Sequence, residues 1–198
     1  MAVKPVRDGT RIVVRPIEPD DKDALLAGFE RLSDESRYRR FLASTPRLTD
    51  AQLRYLTEVD HDRHEALIAF AEDTGEPIGV ARYVRFEDDP LTAEPAVTVV
   101  DDWQGRGVGT LLLEELTARA REAGLERFSA TVFAANDPII SLLEHLGPSE
   151  RHGTGSVIQF EAELPPAGTA APLKAALREA ARDGLRLLKS VAELGRRR

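Results

Sequence analysis

Residues 97–113 read Val-Thr-Val-Val-Asp-Asp-Trp-Gln-Gly-Arg-Gly-Val-Gly-Thr-Leu-Leu-Leu, and this is where the sequence speaks most directly of chemistry. A β-rich run that includes Val99 and Val100 breaks at Asp101 and Asp102. It turns through Gln104, Gly105, Arg106, Gly107, Val108 and Gly109, and a helical pattern begins at Thr110. A glycine-rich turn that opens a helix is an anion trap. Glycines let backbone N–H groups converge without a Cβ in the way, and the helix N-terminus adds partial positive charge. The ligand such a turn suits is a pyrophosphate. Two common pyrophosphate loops do not fit. There is no Gly-x-x-x-x-Gly-Lys-Ser/Thr, and the Gly105, Gly107, Gly109 spacing departs from Gly-x-Gly-x-x-Gly and lies mid-chain.

Other chemistries are narrowed by what the chain contains. With no cysteine there is no disulfide, no thiolate metal ligand and no cysteine nucleophile. Serine, histidine and aspartate are present, but no Gly-x-Ser-x-Gly elbow. His61 and His64 stand three apart beside acids. A metal needs a third ligand in fixed geometry, and Arg63 lies between them, so no metal is expected. Trp103 reads as an anchor for the loop.

At 198 residues the chain is long enough for one domain with a real core plus an appendage. Its formal charge is −7, yet residues 166–198 hold eight Lys and Arg against three Asp and Glu, so the acidic excess lies in the rest. An acidic body repels nucleic acid and attracts cationic partners, including lysine-bearing proteins and polyamines. The N-terminus carries no apolar segment of the secretory kind and no apolar run is long enough to span a membrane, so the cytoplasm is the expected compartment.

The elements that must position the loop follow from periodicity. Strands are expected over 11–17, 66–71, 77–85, 127–133 and 156–164, besides the strand that feeds the glycine loop. Residues 86–95 read as an acidic, proline-containing loop. Pro95 lacks an N–H and fixes φ, which puts the start of the feeding strand after it. Helices are expected over 19–32, over 50–57 behind a capping box at Thr49 and Gln52, from Thr110 to a stop at Gly124, and over 136–146. Residues 33–46 read as a polar connection. The order β-α-α-β-β-β-α-β-α-β predicts a mixed α/β fold with helices around one sheet. Residues 165–172 read as a Pro/Ala linker and 173–198 as a basic amphipathic helix. That helix suits docking on its own acidic body or on a dimer mate, or else on another protein or an anionic membrane.

Gln104, Gly107 and Gly109 match Gln/Arg-x-x-Gly-x-Gly. Together with the element order, residues 10–164 resemble the GNAT N-acetyltransferases, whose sheet is mostly antiparallel. Ser33-x-x-Ser36-x-x-x-Arg40-Phe41, Leu48-Thr-Asp-x-x-Leu53, Asp60 and Ala66-Leu-Ile-Ala69 narrow the likeness to the Pat-type bacterial protein lysine acetyltransferases. In that group the catalytic domain is often joined to a regulatory one, and no such second domain is read in these residues. The resemblance assigns residues 1–164 to an acetyltransferase domain and implies acetyl-CoA as co-substrate. Val99 and Val100 would pair their backbone with the pantetheine arm and offer an N–H to the oxyanion. Gln104, Gly105, Arg106, Gly107, Val108, Gly109 and Thr110 would hold the pyrophosphate, and Asn136 the cofactor arm.

Glu94, ten positions before Gln104, stands where Pat-type enzymes place a general base. Leu143 stands where many GNAT members carry a tyrosine as general acid. Ser33, Ser36 and Arg40 read either as caps and surface residues or as shaping the substrate side. The implied reaction is direct acetyl transfer to a primary amine, with a protein lysine as the first acceptor. A small amine such as a polyamine, aminoglycoside or amino acid is the alternative. A catalytically weak acetyl-CoA-binding module is a third reading.

Overall fold

The structure is a computed structural model and describes residues 2–165. Strands β1 (Ala2–Pro5) and β2 (Arg11–Pro16) form an N-terminal hairpin. A 3-10 turn at Pro19–Asp21 leads into α1 (Lys22–Glu30), α2 (Asp34–Phe41) and α3 (Asp50–Thr57). Next come β3 (His64–Ala71), β4 (Pro77–Arg85) and β5 (Thr92–Val99). A second 3-10 turn at Asp101–Trp103 brings the chain to α4 (Val108–Glu122). Then β6 (Arg127–Phe133), α5 (Asp137–Glu144), β7 (Ser149–His152) and β8 (Val157–Glu163) complete it.

The strands build one sheet in the order β1-β2-β3-β4-β5-β6-β8-β7. Every neighbouring pair is antiparallel except β5 and β6. This is the mixed α/β, mostly antiparallel sheet flanked by helices that the element order predicts. The linker and amphipathic helix expected over 165–198 lie almost wholly outside the described residues. No described helix is long and apolar enough to cross a membrane.

Residues 66–71 of strand β3 are apolar on both faces because helices lie against both, with α1 over Ala66 and Ile68 and α4 on the other side, and the strand is buried almost throughout. β8, with one covered face, alternates instead. Helix α4 presents Val108, Leu112, Leu116 and Ala120 to the sheet, all fully buried, and ends at Ala123 with Gly124 beyond it. Its polar face is tied down by Arg119, which donates to the buried carboxylate of Glu65 on β3 at 3.1 Å.

Three elements escape the sequence pattern. Helix α2 occupies the expected polar connection, and β1 and β7 are added at the two sheet edges. A further correction concerns β5, which begins at Thr92 and runs through Pro95, with Pro95 opposite Tyr83. The peptide groups of a strand point alternately to its two sides. Val100 N–H donates to Ile78 O on β4 at 3.0 Å. Thr98, Ala96 and Glu94 therefore face β4 as well, and Pro95 turns its N–H-less side the other way. No ladder bond to β4 is lost.

Candidate functional site

β5 and β6 pair only through Thr92 with Arg127 and Ala93 with Phe128. Beyond that point they diverge, and a groove of about 530 Å³ opens between them. Its floor is apolar, with Val97, Val99, Leu142 and Leu143. Glu94, Gln104, Gly105, Gly107, Gly109, Thr110 and Asn136 also line it. Residues spread over more than forty positions of sequence are thus gathered along one cleft. By the alternation that puts Val100 on β4, the N–H and C=O groups of Val97 and Val99 face this cleft, where no strand lies opposite.

Three of the sequence-selected positions do not face the groove. Val100 is buried and its N–H is spent on Ile78 O, so it has no donor to offer a ligand. Val108 is fully buried as the first core residue of α4. Arg106 turns its side chain outward. Its Nε donates to Asp8 Oδ2 at 2.8 Å, a terminal nitrogen reaches Thr10 Oγ1 at 3.1 Å, and the guanidinium lies 3.9 Å from the Trp103 ring centroid. Trp103 is accordingly a buried anchor beneath the loop.

The loop takes its shape from Gly105 and Gly107, at φ +73° and +97°. Both values lie in the left-handed region that other residues enter only at a cost. Upstream, the loop is pinned to α2. Ser33 caps that helix by accepting from Ser36 N, and the two serine hydroxyls donate to Asp101 Oδ1 at 2.8 and 2.9 Å. Ser33 N–H adds a third bond to the same carboxylate. Partial burial pushes the Asp101 carboxyl up, but these three donors outweigh it and hold the group below its usual range. Gln104 Nε2 donates to Val99 O at 3.0 Å and to Ser36 Oγ at 3.3 Å. Ser33 and Ser36 are therefore both caps and struts for the loop.

At the other end of the groove Glu94 is solvent-exposed. Arg40 lies near it, with its guanidinium 5.0 Å from the Phe41 ring centroid. Burial lowers the Arg40 pKa, against the pull of the Glu94 carboxylate and of Tyr55. A smaller pocket of about 60 Å³ opens beside it under α1, α2 and α3, lined by Phe29, Phe41, Leu56, Arg40 and Arg82. Tyr38 and Leu42, both exposed, stand on and just beyond α2, and the Tyr38 ring stacks on Phe133 at 5.2 Å. Sequence periodicity gave no sign of this rim because α2 has too few apolar residues to show a stripe.

His61 and His64 are turned to different partners. His61 Nδ1 meets Glu65 at 2.8 Å, and His64 Nε2 accepts from the buried Arg82 at 3.0 Å. Burial, and then the Arg82 charge, pull His64 down to about 4, against the carboxylates of Asp60 and Glu65. Arg82 is drawn to about 9, first by burial and then by Arg40. Because the unfolded histidine titrates near 6.5, the unfolded chain binds a proton before the folded one does. Stability is then full above about pH 6.5 and falls as the pH drops towards 4. His64→Gln keeps an acceptor for Arg82 and removes the titration. Melting temperatures measured across this window are expected to decline for the wild type and to stay flatter for the variant.

Residues 28–147 match the model of the Acetyltransferase (GNAT) family. The chain is 34% identical over 189 residues to acetyltransferase Pat of Mycolicibacterium smegmatis, covering 95% of this chain and 56% of that protein. It thus spans little more than half the length of that relative. It is 30% identical over 147 residues to acetyltransferase PA5475 of Pseudomonas aeruginosa, covering 73% of this chain and 78% of the other. The fold superposes on the crystal structure of the GNAT domain of S. lividans PAT with a TM-score of 0.76 at 37% identity, covering 82% of this chain and 96% of that one. The diverging strands, the glycine loop that opens α4 and these likenesses agree: the chain belongs to the GNAT acetyltransferase family.

Proposed function

We propose that this protein transfers the acetyl group of acetyl-CoA directly to the ε-amine of a lysine on another protein, with Glu94 as general base. The observation that carries the reading is the single groove that holds Glu94 at one end and the glycine loop at the other. The fit to acetyl-CoA rests on the loop. Gly105 has open space where a Cβ would project, and backbone N–H groups at the head of α4 suit a pyrophosphate. The exposed edge of β5 at Val97 and Val99 suits the amides of a pantetheine arm, which can add to a strand as a peptide does.

Acetyl-CoA supplies an activated acetyl group as a thioester. The chain's own residues must free the amine and steady the charge. A lysine has pKa about 10.4, so about one in a thousand is neutral near pH 7.4, and freeing it costs about 4 kcal/mol. Glu94, directly or through water, takes that proton. The amine nitrogen attacks the carbonyl carbon, the N–C bond forms, and the C–S bond breaks with the electron pair going to the thiolate. Val97 or Val99 would offer an N–H to the oxyanion, since that of Val100 is spent on Ile78 O. Leu143 is buried beneath the groove and gives the departing thiolate no proton, so that proton comes from solvent.

The acceptor reading draws on the likeness to Pat and on the rim at Glu94. Leu42 presents exposed apolar surface on the groove, and Tyr38 adds more along α2 beside Phe133, as a macromolecular acceptor would use. A small amino acid is the second reading. It is favoured by the pocket that Arg40 lines, a cation suited to a carboxylate. The test is acetyl transfer measured on lysine-bearing proteins and on a panel of amino acids, polyamines and aminoglycosides. Preference for protein lysine supports the first reading, and preference for an amino acid the second. Acetyl-CoA binding without transfer to any of these would mark a weak or non-catalytic module.

A further inference from the structure

The glycine loop has one cation of its own, Arg106, and the fold spends it on Asp8, Thr10 and Trp103. Asp101 and Asp102 stand just upstream, so the cradle proposed for a doubly charged pyrophosphate has no side-chain cation of its own to offer. The hairpin turn between β1 and β2 fills that lack. Arg7 N–H donates to Arg106 O at 3.3 Å, and a Cβ built on Gly107 would lie 3.3 Å from Arg7 Cγ. Arg7 therefore lies against the middle of the loop, about a hundred residues away in sequence. It lines the groove, is exposed, and among the described residues its guanidinium makes no ion pair. The other arginines on the groove are engaged elsewhere. Arg39 pairs with Glu35, and Arg40 sits at the Glu94 end over Phe41.

The turn that presents Arg7 is held firmly. Val6 N donates to Thr10 O at 2.9 Å, Gly9 N to Val6 O at 3.0 Å, and Thr10 N to Asp8 Oδ1 at 2.9 Å. The bonds from Thr10, and then the one from Arg106, draw the Asp8 carboxyl down to about 2, so the clasp between Asp8 and Arg106 stays ionised at neutral pH. We propose that Arg7 is a cofactor-binding residue whose guanidinium grips the pyrophosphate of acetyl-CoA from the side opposite the α4 N-terminus, with Asp8 and Arg106 as the clasp that positions it. A guanidinium offers parallel N–H donors that match phosphate oxygens, which an ammonium cannot reproduce. This rests on the acetyl-CoA reading above.

The test is calorimetric titration of the full chain and of Arg7→Ala and Arg7→Lys with acetyl-CoA, dephospho-acetyl-CoA and acetyl-pantetheine. Arg7→Ala is expected to weaken acetyl-CoA binding roughly 10- to 100-fold, the range for losing a charge-assisted contact. The same factor is expected with dephospho-acetyl-CoA, which keeps the pyrophosphate, and no difference with acetyl-pantetheine, which lacks it. Added salt should narrow the gap, Arg7→Lys should recover only part of it, and melting temperatures should match. Equal acetyl-CoA affinities for wild type and Arg7→Ala would overturn the proposal alone. So would a loss that persists with acetyl-pantetheine, or one that vanishes with dephospho-acetyl-CoA and so belongs to the 3′-phosphate. A wild type that binds none of the three would overturn the acetyl-CoA reading itself.

Discussion

Gly107→Glu is expected to abolish measurable acetyl-CoA binding, with the affinity falling by on the order of 100-fold or more. Two effects add. Residue 107 has φ +97°, where an L side chain costs about 1–2 kcal/mol. The new carboxylate would also stand within the anion cradle, where like charges placed together cost several kcal/mol. The same side chain would displace Arg7, whose Cγ lies 3.3 Å from the Cβ position. Gly107→Ala separates the contributions, because it carries the strain and the crowding without the charge and should fall between wild type and Gly107→Glu. Calorimetry reads the affinity, and circular dichroism with thermal melting checks that both variants fold. Undiminished binding in a folded Gly107→Glu variant would move the pyrophosphate off this loop.

Glu94→Gln is the complementary experiment. It keeps the size and polarity of the side chain and removes its basicity. Transfer is expected to slow by about 10²–10⁴-fold, the usual worth of a positioned base, while acetyl-CoA affinity stays at the wild-type value. The pH profile gives a sharper reading. Without its base the variant depends on acceptor amine that solvent has already deprotonated, so its rate should climb nearly tenfold per pH unit towards the lysine pKa. The wild type should level off earlier. A variant with unchanged turnover and an unchanged profile would place proton removal elsewhere.

The loop, the helix after it and the central hairpin were legible because each has a strong local cause. Glycines sit where φ must be positive, apolar residues recur at helical spacing along α4, and residues 66–71 of β3 are an unbroken apolar run. Helix α2 carries good end signals, with Ser33 as cap, acids in its first turn and arginines in its last. It has too few apolar residues to show a period, and tertiary bonds to Asp101 hold it in place. β7 is exposed at every position and so has no alternation to read. The sequence pattern starts β5 too late because proline is penalised in strands in general, while its cost depends on which side its nitrogen faces. Glu94, Gln104 and Asn136 could be selected by position along the chain. Arg7 could not, since only the fold brings the first hairpin to the loop.

Pro95 also shapes the groove between β5 and β6. The pairing of β5 with β6 proceeds rung by rung from Thr92 and Ala93, and the next donor on that side of β5 would be residue 95. Pro95 has none to give. The two strands are therefore like a zipper with a tooth missing just above its foot: closing the cleft further would have to skip a rung. A cleft already open where the pairing ends leaves more of the binding energy for orientation than for opening.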